Sequence, residues 1–225
     1  MELSNLYATC RAELIELAQS ITPEQADAPL AATPPWNVLD GYRHLSGVCA
    51  NFLDGVLNNA GSPEWTAAQV RARHTMSLAD VCAEWTERGP SLEEQMAAAG
   101  PTMGFLAFDV WTHEQDIRAA IGSRGERTGD VVTALAELAL TMFAGRYQAS
   151  GAPTVLVLVD GESHVLGALG TDAEVTLGTT AYEFLRIVFG RRSAVQIAAA
   201  NWTGDAASVI SSLHIFDLPP IDIVD

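Results

Sequence analysis

One segment of the chain carries three ionisable side chains on what is otherwise an apolar helical face. Asp109, His113 and Asp116 are spaced by four and then three residues, so they project from the same side of a helix. Leu106 and Ala120 on that side are core-type residues. A buried carboxylate without a partner costs on the order of several kcal/mol, so this face requires a cation, a hydrogen-bond network or water. A divalent metal ion is the simplest single partner for an aspartate and a histidine, although the same spacing also occurs in solvated or hydrogen-bonded pairs.

A third ligand is needed to complete such a metal site, and His44 is the candidate. It lies in a second helical run, predicted over residues 38–57, at the edge of that run's apolar stripe. Two helices that face each other could therefore bring His44, Asp109 and His113 to one point. A fourth position would stay open for water or substrate, as it does in catalytic zinc sites.

The apolar periodicity predicts a chain of two parts, one α-helical and one α+β. Helices are expected over residues 4–21, 38–57, 103–121 and 130–148, and in a run from residue 78 that Gly89-Pro90 interrupts and a Ser91 capping box restarts. After Gly151 the pattern predicts strands over 154–159, 164–169 and 174–177 in a meander, a helix from Thr180 to Gly190, and a last helix over 205–213. The boundary is placed near residue 150, between a helical bundle (1–150) and a small α+β domain (151–225).

Composition argues against several classes of partner. The chain has 225 residues, and its 12 basic and 28 acidic side chains give a formal charge of −16. This charge repels nucleic-acid backbones and anionic membrane surfaces, so neither is expected as a partner. Three cysteines in dispersed positions favour a reducing compartment over a disulfide framework. No N-terminal targeting pattern or membrane-length apolar run is evident, and a cytoplasmic protein is expected.

Three segments resemble one enzyme family. Residues 33–45, TPPWNVLDGYRHL, resemble the threonine-proline, tryptophan and histidine-leucine signature of the mycothiol-dependent maleylpyruvate isomerase family, within the DinB-like superfamily. Residues 109–121 are similar to that family's aspartate and histidine-glutamate-glutamine-aspartate-isoleucine-arginine hallmark. Residues 183–186, 190–193 and 202–205 are similar to its C-terminal domain. The matches are ordered and span nearly the whole chain.

The resemblance implies a DinB-like four-helix bundle with a metal site, followed by the small α+β domain. Carried over by position, the ligands are His44, Asp109 and His113, and Asp116 is a carboxylate behind the ligands or facing the substrate. The C-terminal similarity implies that Arg191 supplies a cation for a substrate carboxylate and, with Arg192, contacts the cofactor. The alternative for both arginines is that they only complement a helix C-terminus. The chain departs from the family at Asp109, where glutamate is expected.

The function that the resemblance implies is thiol-dependent chemistry. A divalent ion, zinc by its ligands, and mycothiol or a similar low-molecular-weight thiol are the expected cofactors. The thiolate would add to an electrophilic small molecule, either to isomerise it or to transfer the thiol, in a monomer or homodimer. Two alternatives stay open: a non-catalytic module that binds a metal or ligand on this fold, and a biosynthetic enzyme that does not use the metal.

Overall fold

The computed structural model describes residues 2–168 and 170–225, which form two compact units, 2–125 and 126–224. The first unit is helical, and its four long helices contact one another in a closed ring, in the order α1, α5, α3, α6 and back to α1. This arrangement is a four-helix bundle, and the predicted helical architecture of this part of the chain is confirmed. Its α-helices are α1 (Leu3–Ala18), α2 (Pro23–Ala26), α3 (Val38–Leu53), α4 (Pro63–Ala72), α5 (Leu78–Ala99) and α6 (Phe105–Ala120), with a 3₁₀ turn at Gly100–Met103.

Helix α3 begins where its sequence predicts. Asn37 accepts a hydrogen bond from the Asp40 backbone N–H, and the Asp40 carboxylate accepts one from the Asn37 N–H, which forms a capping box. The helix ends at Leu53, earlier than the expected residue 57, because the Val56 N–H turns back to the Asn51 carbonyl and closes the last turn. The capping box therefore fixes the phase of the helix that carries His44.

Helix α5 runs without a break through Gly89-Pro90, so the predicted interruption and the restart at Ser91 are wrong. Proline inside a helix costs about 3 kcal/mol, because it removes one backbone hydrogen bond and crowds the preceding turn. Trp85 and Leu92 are fully buried on either side of it, in a helix that packs on both α1 and α3. The packing of these two side chains outweighs the local penalty.

The second unit combines a long helix with a small mixed sheet. Its elements are α7 (Asp130–Ala149), β1 (Val155–Val159), β2 (Glu162–Leu166), β3 (Val175–Thr179), α8 (Ala181–Val188), α9 (Ala194–Ala198) and β4 (Asn201–Thr203). Helix α7 packs against α8 and β2 within this unit. The compact units divide between residues 125 and 126, before α7, and the predicted domain boundary near residue 150 stays a prediction.

The strand order is β2-β1-β3-β4, with β1 and β3 parallel, so the predicted meander is wrong. After β2 the chain crosses the start of β1, and β3 begins beside Val155, on the other edge of that strand. Gly167 permits this passage, since its φ is 120° and a Cβ there would lie 2.9 Å from Thr154 Cα. The expected end of the second strand at Leu169 lies outside the described residues.

Two further differences concern the end of the chain. Strand β4 is not predicted from the sequence, and it pairs antiparallel with β3. The expected last helix is two short 3₁₀ turns, Ala206–Ser208 and Ile210–Ser212. None of the described helices has the length and apolar character that crossing a bilayer requires.

Candidate metal centre

A short loop before α3 sets the position of both Trp36 and His44. The Leu30 N–H donates to the Trp36 carbonyl at 2.9 Å, and the Val38 N–H donates to the Ala28 carbonyl at 3.0 Å. These two backbone hydrogen bonds join the two sides of the loop immediately before the α3 capping box. His44 follows about two helical turns after the cap, on the side of α3 that faces α6.

The three predicted ligands meet between α3 and α6. His44, Asp109 and His113 each offer one ligand atom, and these atoms all lie within 4.8 Å of one another. The Asp109 Oδ1 atom lies 3.6 Å from His44 Nε2 and 3.7 Å from His113 Nε2. The sequence therefore predicted the convergence of these three side chains correctly.

Two of the three distances between these atoms fit a tetrahedral metal ion. Zinc binds histidine nitrogen and carboxylate oxygen at about 2.0–2.2 Å, which separates two ligand atoms by about 3.3–3.6 Å at a tetrahedral angle. The distances of 3.6 and 3.7 Å from Asp109 to the two imidazoles are within a few tenths of an ångström of that range. Two imidazoles and one carboxylate leave a fourth position open, which is the donor set of a catalytic site.

Exposure differs among the three ligands. The side chains of His44 and His113 are 4% and 7% exposed, whereas that of Asp109 is 29% exposed. The centre is therefore buried on its imidazole side and accessible on its carboxylate side. A small molecule could reach the open position past Asp109.

Behind each imidazole, on its Nδ1 side, lies an oxygen-bearing side chain. His44 Nδ1 is 2.7 Å from Gln69 Oε1, and His113 Nδ1 is 3.6 Å from Asp116 Oδ2. Asp116 is the carboxylate that the sequence places near the site, and its side chain is only 1% exposed. Gln69 was not predicted, nor was α4, the helix that carries it. Ser62 followed by Pro63 is a typical helix start and could have revealed α4, but no sequence signal marks Gln69 as inward-facing.

Trp36 covers the two imidazoles from the loop. Its ring centroid lies 4.9 Å from that of His44 and 6.0 Å from that of His113, with interplanar angles of 42° and 35°. The two imidazole centroids are themselves 4.9 Å apart. An indole at this position excludes water from one side of the centre and limits the directions in which the rings can turn.

Glu114 follows the candidate ligand His113 directly, but its carboxylate is directed toward Arg118 and not toward the centre. Glu114 is buried, and burial raises its pKa to about 7, although its Oε1 accepts a hydrogen bond from Arg118 Nε at 2.7 Å. The ion pair with Arg118 offsets part of the desolvation but does not overcome it. Glu114 thus belongs to the contact of α6 with α1, where Glu13 lies near Arg118, rather than to the candidate ligands.

The two predicted arginines belong to the second compact unit, at the end of α8. Arg191 Nη1 donates to the Phe189 carbonyl at 2.8 Å. Arg192 donates from Nε and Nη2 to the two carboxylate oxygens of Glu183, each at 2.8 Å. The Arg191 contact is at the C-terminal end of α8, as the alternative interpretation expects, whereas the Arg192 contact is with a residue in the first turn of that helix. The role assigned to Arg191 and Arg192 in binding a cofactor or substrate stays a prediction.

Comparisons with known proteins give a likeness of fold. No protein-family model and no curated protein sequence matches the chain. Two solved structures are similar to it: a crystal structure of the mycothiol-dependent maleylpyruvate isomerase, and one of a histidine-to-alanine mutant of that isomerase. The mutant structure has a TM-score of 0.57 at 12% identity, and the other has 0.50 at 11%. Both comparisons cover 84% of this chain and 88% of the other. At this identity the likeness establishes the fold and leaves the activity to be tested.

Proposed function

We propose that this protein is a metal-dependent enzyme that uses a low-molecular-weight thiol, mycothiol or a close analogue, to attack an electrophilic small molecule. The observation that carries the proposal is the cluster of His44, Asp109 and His113, with ligand atoms within 4.8 Å of one another on facing helices. The likeness of fold to a mycothiol-dependent isomerase supports the choice of a thiol. Zinc is the proposed ion because its preferred donors and geometry match these three side chains.

The chemistry requires a thiol that reacts as its anion at neutral pH. When bound, a divalent ion lowers the pKa of a thiol that coordinates it. Among the protein's own residues, Asp109 borders the accessible side of the centre and Trp36 lies against the two imidazoles. Exclusion of water by the indole would protect a thiolate from protonation by solvent.

The proposed reaction starts with addition to an alkene that is conjugated with a carbonyl group. The thiolate sulfur forms a bond to one alkene carbon, and the electron pair of the double bond moves toward the carbonyl oxygen. The former double bond can then rotate. Elimination of the thiolate restores the alkene as the trans isomer and returns the thiol unchanged, whereas protonation of the adduct instead gives a stable thioether. Isomerase and transferase activities thus share the first step.

The test is thiol-dependent turnover by the intact chain. Purified protein is treated with a chelator, divided, and assayed with and without added zinc, with mycothiol as the thiol and maleylpyruvate as the first electrophile. Isomerisation is followed by NMR, and the thioether by mass spectrometry. We expect turnover only when both zinc and the thiol are present.

Two results would contradict the proposal in different ways. Zinc bound at one ion per chain without thiol-dependent turnover of any activated alkene or epoxide would identify a non-catalytic binding module. Turnover that survives complete removal of the metal would identify an enzyme that has kept the fold and does not use the ion.

A further inference from the structure

We propose that Gln69 is a positioning residue that fixes the tautomer of His44, so that Nε2 of the ring is the metal-binding atom. The inference rests on the proposed function, because it specifies how this chain prepares one of its three ligands. Its basis is the 2.7 Å contact between Gln69 Oε1 and His44 Nδ1, inside the unit formed by residues 2–125.

A neutral imidazole has one nitrogen that carries hydrogen and one that carries a lone pair. A carbonyl oxygen at 2.7 Å from Nδ1 can only accept, so the hydrogen must reside on Nδ1. The lone pair then belongs to Nε2, the atom that lies 3.6 Å from the Asp109 carboxylate. In that state a lone pair and a carboxylate oxygen face each other, an arrangement that a metal cation between them makes favourable.

The opposite orientation of the amide would have the opposite effect. If Gln69 turned its Nε2 toward His44, that nitrogen would donate to Nδ1, and the imidazole hydrogen would move to its own Nε2. His44 could then donate to Asp109 but could not bind a metal ion with the same atom. The direction of a single amide thus decides whether the cluster is a metal site or a closed hydrogen-bonded pair.

Packing holds the Gln69 side chain against His44. Gln69 is buried, and a Cβ at Gly47 would lie 2.5 Å from Gln69 Cβ, so α4 approaches α3 more closely than any residue larger than glycine allows. Gly47 is one helical turn after His44, which places the close approach directly beside the ring. This close approach fixes the position from which the glutamine side chain reaches His44.

The next turn of α4 is also anchored. Arg73 donates through Nε and Nη2 to the Glu84 carboxylate at 2.6 and 2.8 Å. Its Nη1 also donates to the backbone carbonyl of Gln69 at 3.4 Å. Ser46 donates to the same carboxylate at 2.6 Å. Helices α3, α4 and α5 are therefore tied together just behind the glutamine, which is the rigid support that a positioning residue needs.

The amide nitrogen of Gln69 is buried and has no hydrogen-bond partner among the described residues. A buried donor without a partner destabilises the folded protein, so glutamine is disfavoured at this position unless its amide oxygen is required. Glutamate is close to glutamine in shape, accepts through both oxygens and lacks that donor, whereas methionine fills the space and accepts only weakly. These two substitutions separate the hydrogen bond from the packing.

The experiment measures zinc affinity by competition with a chromophoric chelator in wild type, Gln69→Glu and Gln69→Met. Gln115→Met is the matched control, because Gln115 is also buried in the same unit and its Oε1 lies beside Gly125, 2.8 Å from where a Cβ of that residue would be. Gln69→Met should weaken zinc binding about 10-fold to 100-fold, as the loss of such a partner does at other metal sites. Gln69→Glu and Gln115→Met should stay within about threefold of wild type, a margin small against that loss.

A second readout does not depend on the metal. In metal-free wild type at about pH 8, where an unperturbed imidazole is neutral, long-range ¹H–¹⁵N correlation spectra should show the hydrogen of His44 on Nδ1. In Gln69→Met the population should shift toward the Nε2 form, with Gln115→Met unchanged.

The outcomes separate this inference from the proposed function. An Nε2–H tautomer in wild type, or zinc affinity of Gln69→Met within twofold of wild type, would overturn the positioning role. If wild type binds no zinc at all, the proposed function fails, and the tautomer measurement alone still decides what Gln69 does.

Discussion

Charged and ionisable side chains are used differently in the two compact units. In residues 2–125, His44 from α3 and Asp109 and His113 from α6 bring their ligand atoms to one point. In residues 126–224, Arg191 and Arg192 follow the end of α8 and donate to a carbonyl and a carboxylate of their own segment. Convergence of groups from separate segments with a geometry suited to a cation favours a role in chemistry, whereas donation to neighbouring acceptors favours a role in stability. Substitutions in both units test this distinction.

The largest expected effect is loss of the metal. His113→Ala removes one of three ligands and should leave less than about one tenth of the wild-type zinc affinity. Elemental analysis after dialysis measures the bound ion. His74→Ala is the matched control, since the side chain of this exposed histidine pairs with the Arg71 carbonyl, and the variant should retain one ion per chain. Full metal content in both His44→Ala and His113→Ala would show that the convergence is not a metal site.

The next effect concerns the close approach of α4 to α3. A methyl group at Gly47 would meet Gln69 Cβ at 2.5 Å, so Gly47→Ala must push the helices apart. We expect a loss of unfolding free energy of about 2 kcal/mol, together with weaker zinc binding. Gly145→Ala is the control, because a Cβ there meets nothing within 4 Å. Unchanged zinc affinity in Gly47→Ala would separate the packing of α4 from the metal site.

Asp116 sharpens the distinction between a ligand and a supporting group. Its Oδ2 lies 3.6 Å from His113 Nδ1, on the opposite side of the ring from Asp109. Asp116→Asn should therefore lower turnover by about tenfold and reduce zinc affinity less than His113→Ala does. Metal loss equal to that of His113→Ala would make Asp116 a ligand.

Arg191 tests the same distinction in the second compact unit. If it binds a substrate carboxylate, as the family resemblance implies, Arg191→Ala should raise KM about tenfold or more and leave zinc content unchanged. Arg191→Lys should restore only part of the affinity, because an ammonium lacks the guanidinium fork. Arg192→Ala is the comparison variant. If Arg191→Ala has wild-type kinetics and a lower melting temperature, the arginine serves the end of α8 alone.

The smallest effect is a pH dependence of stability. Burial alone would raise the pKa of Glu84, but hydrogen bonds from Arg73 and Ser46 hold it below the usual 4.5. Because the folded pKa is the lower one, the stabilisation is present above about pH 4.5 and is lost as the pH falls through the folded value. Glu84→Gln should cost about 1 kcal/mol near pH 7, after allowance for partial exposure, and progressively less in acid. Denaturant unfolding from pH 3 to 8 checks this, and a constant difference would refute the linkage.

The convergence of the three candidate ligands could be predicted because their spacing is local or belongs to a strong helical pattern. Asp109 and His113 are four residues apart on one helix, and the capping box at Asn37 fixes the phase of the helix that carries His44. Their mutual geometry then follows from two helices that face each other. Gln69 lay beyond prediction, because a polar residue on a short polar helix is usually exposed, and its burial depends on tertiary contacts such as those at Gly47 and His44.

The errors in the fold have the same origin. Pro90 is a correct local signal for a helix break, and the burial of Trp85 and Leu92 overrides it. The parallel pairing of β1 with β3 depends on which edge of β1 the chain reaches after β2. Strand periodicity carries no information about that choice, so a meander and a crossover share the same local pattern.

The indole of Trp36 gives the protein an optical probe of its own candidate site. It lies 4.9 and 6.0 Å from the two imidazole rings, and the chain has five tryptophans in all. Cobalt placed at the centre should quench indole emission by contact and energy transfer, while zinc, which has no d–d absorption, should change it far less. Trp36→Phe should remove the largest part of the cobalt response. A fluorescence titration on unlabelled protein can thus follow ion entry in real time, before any substrate is known.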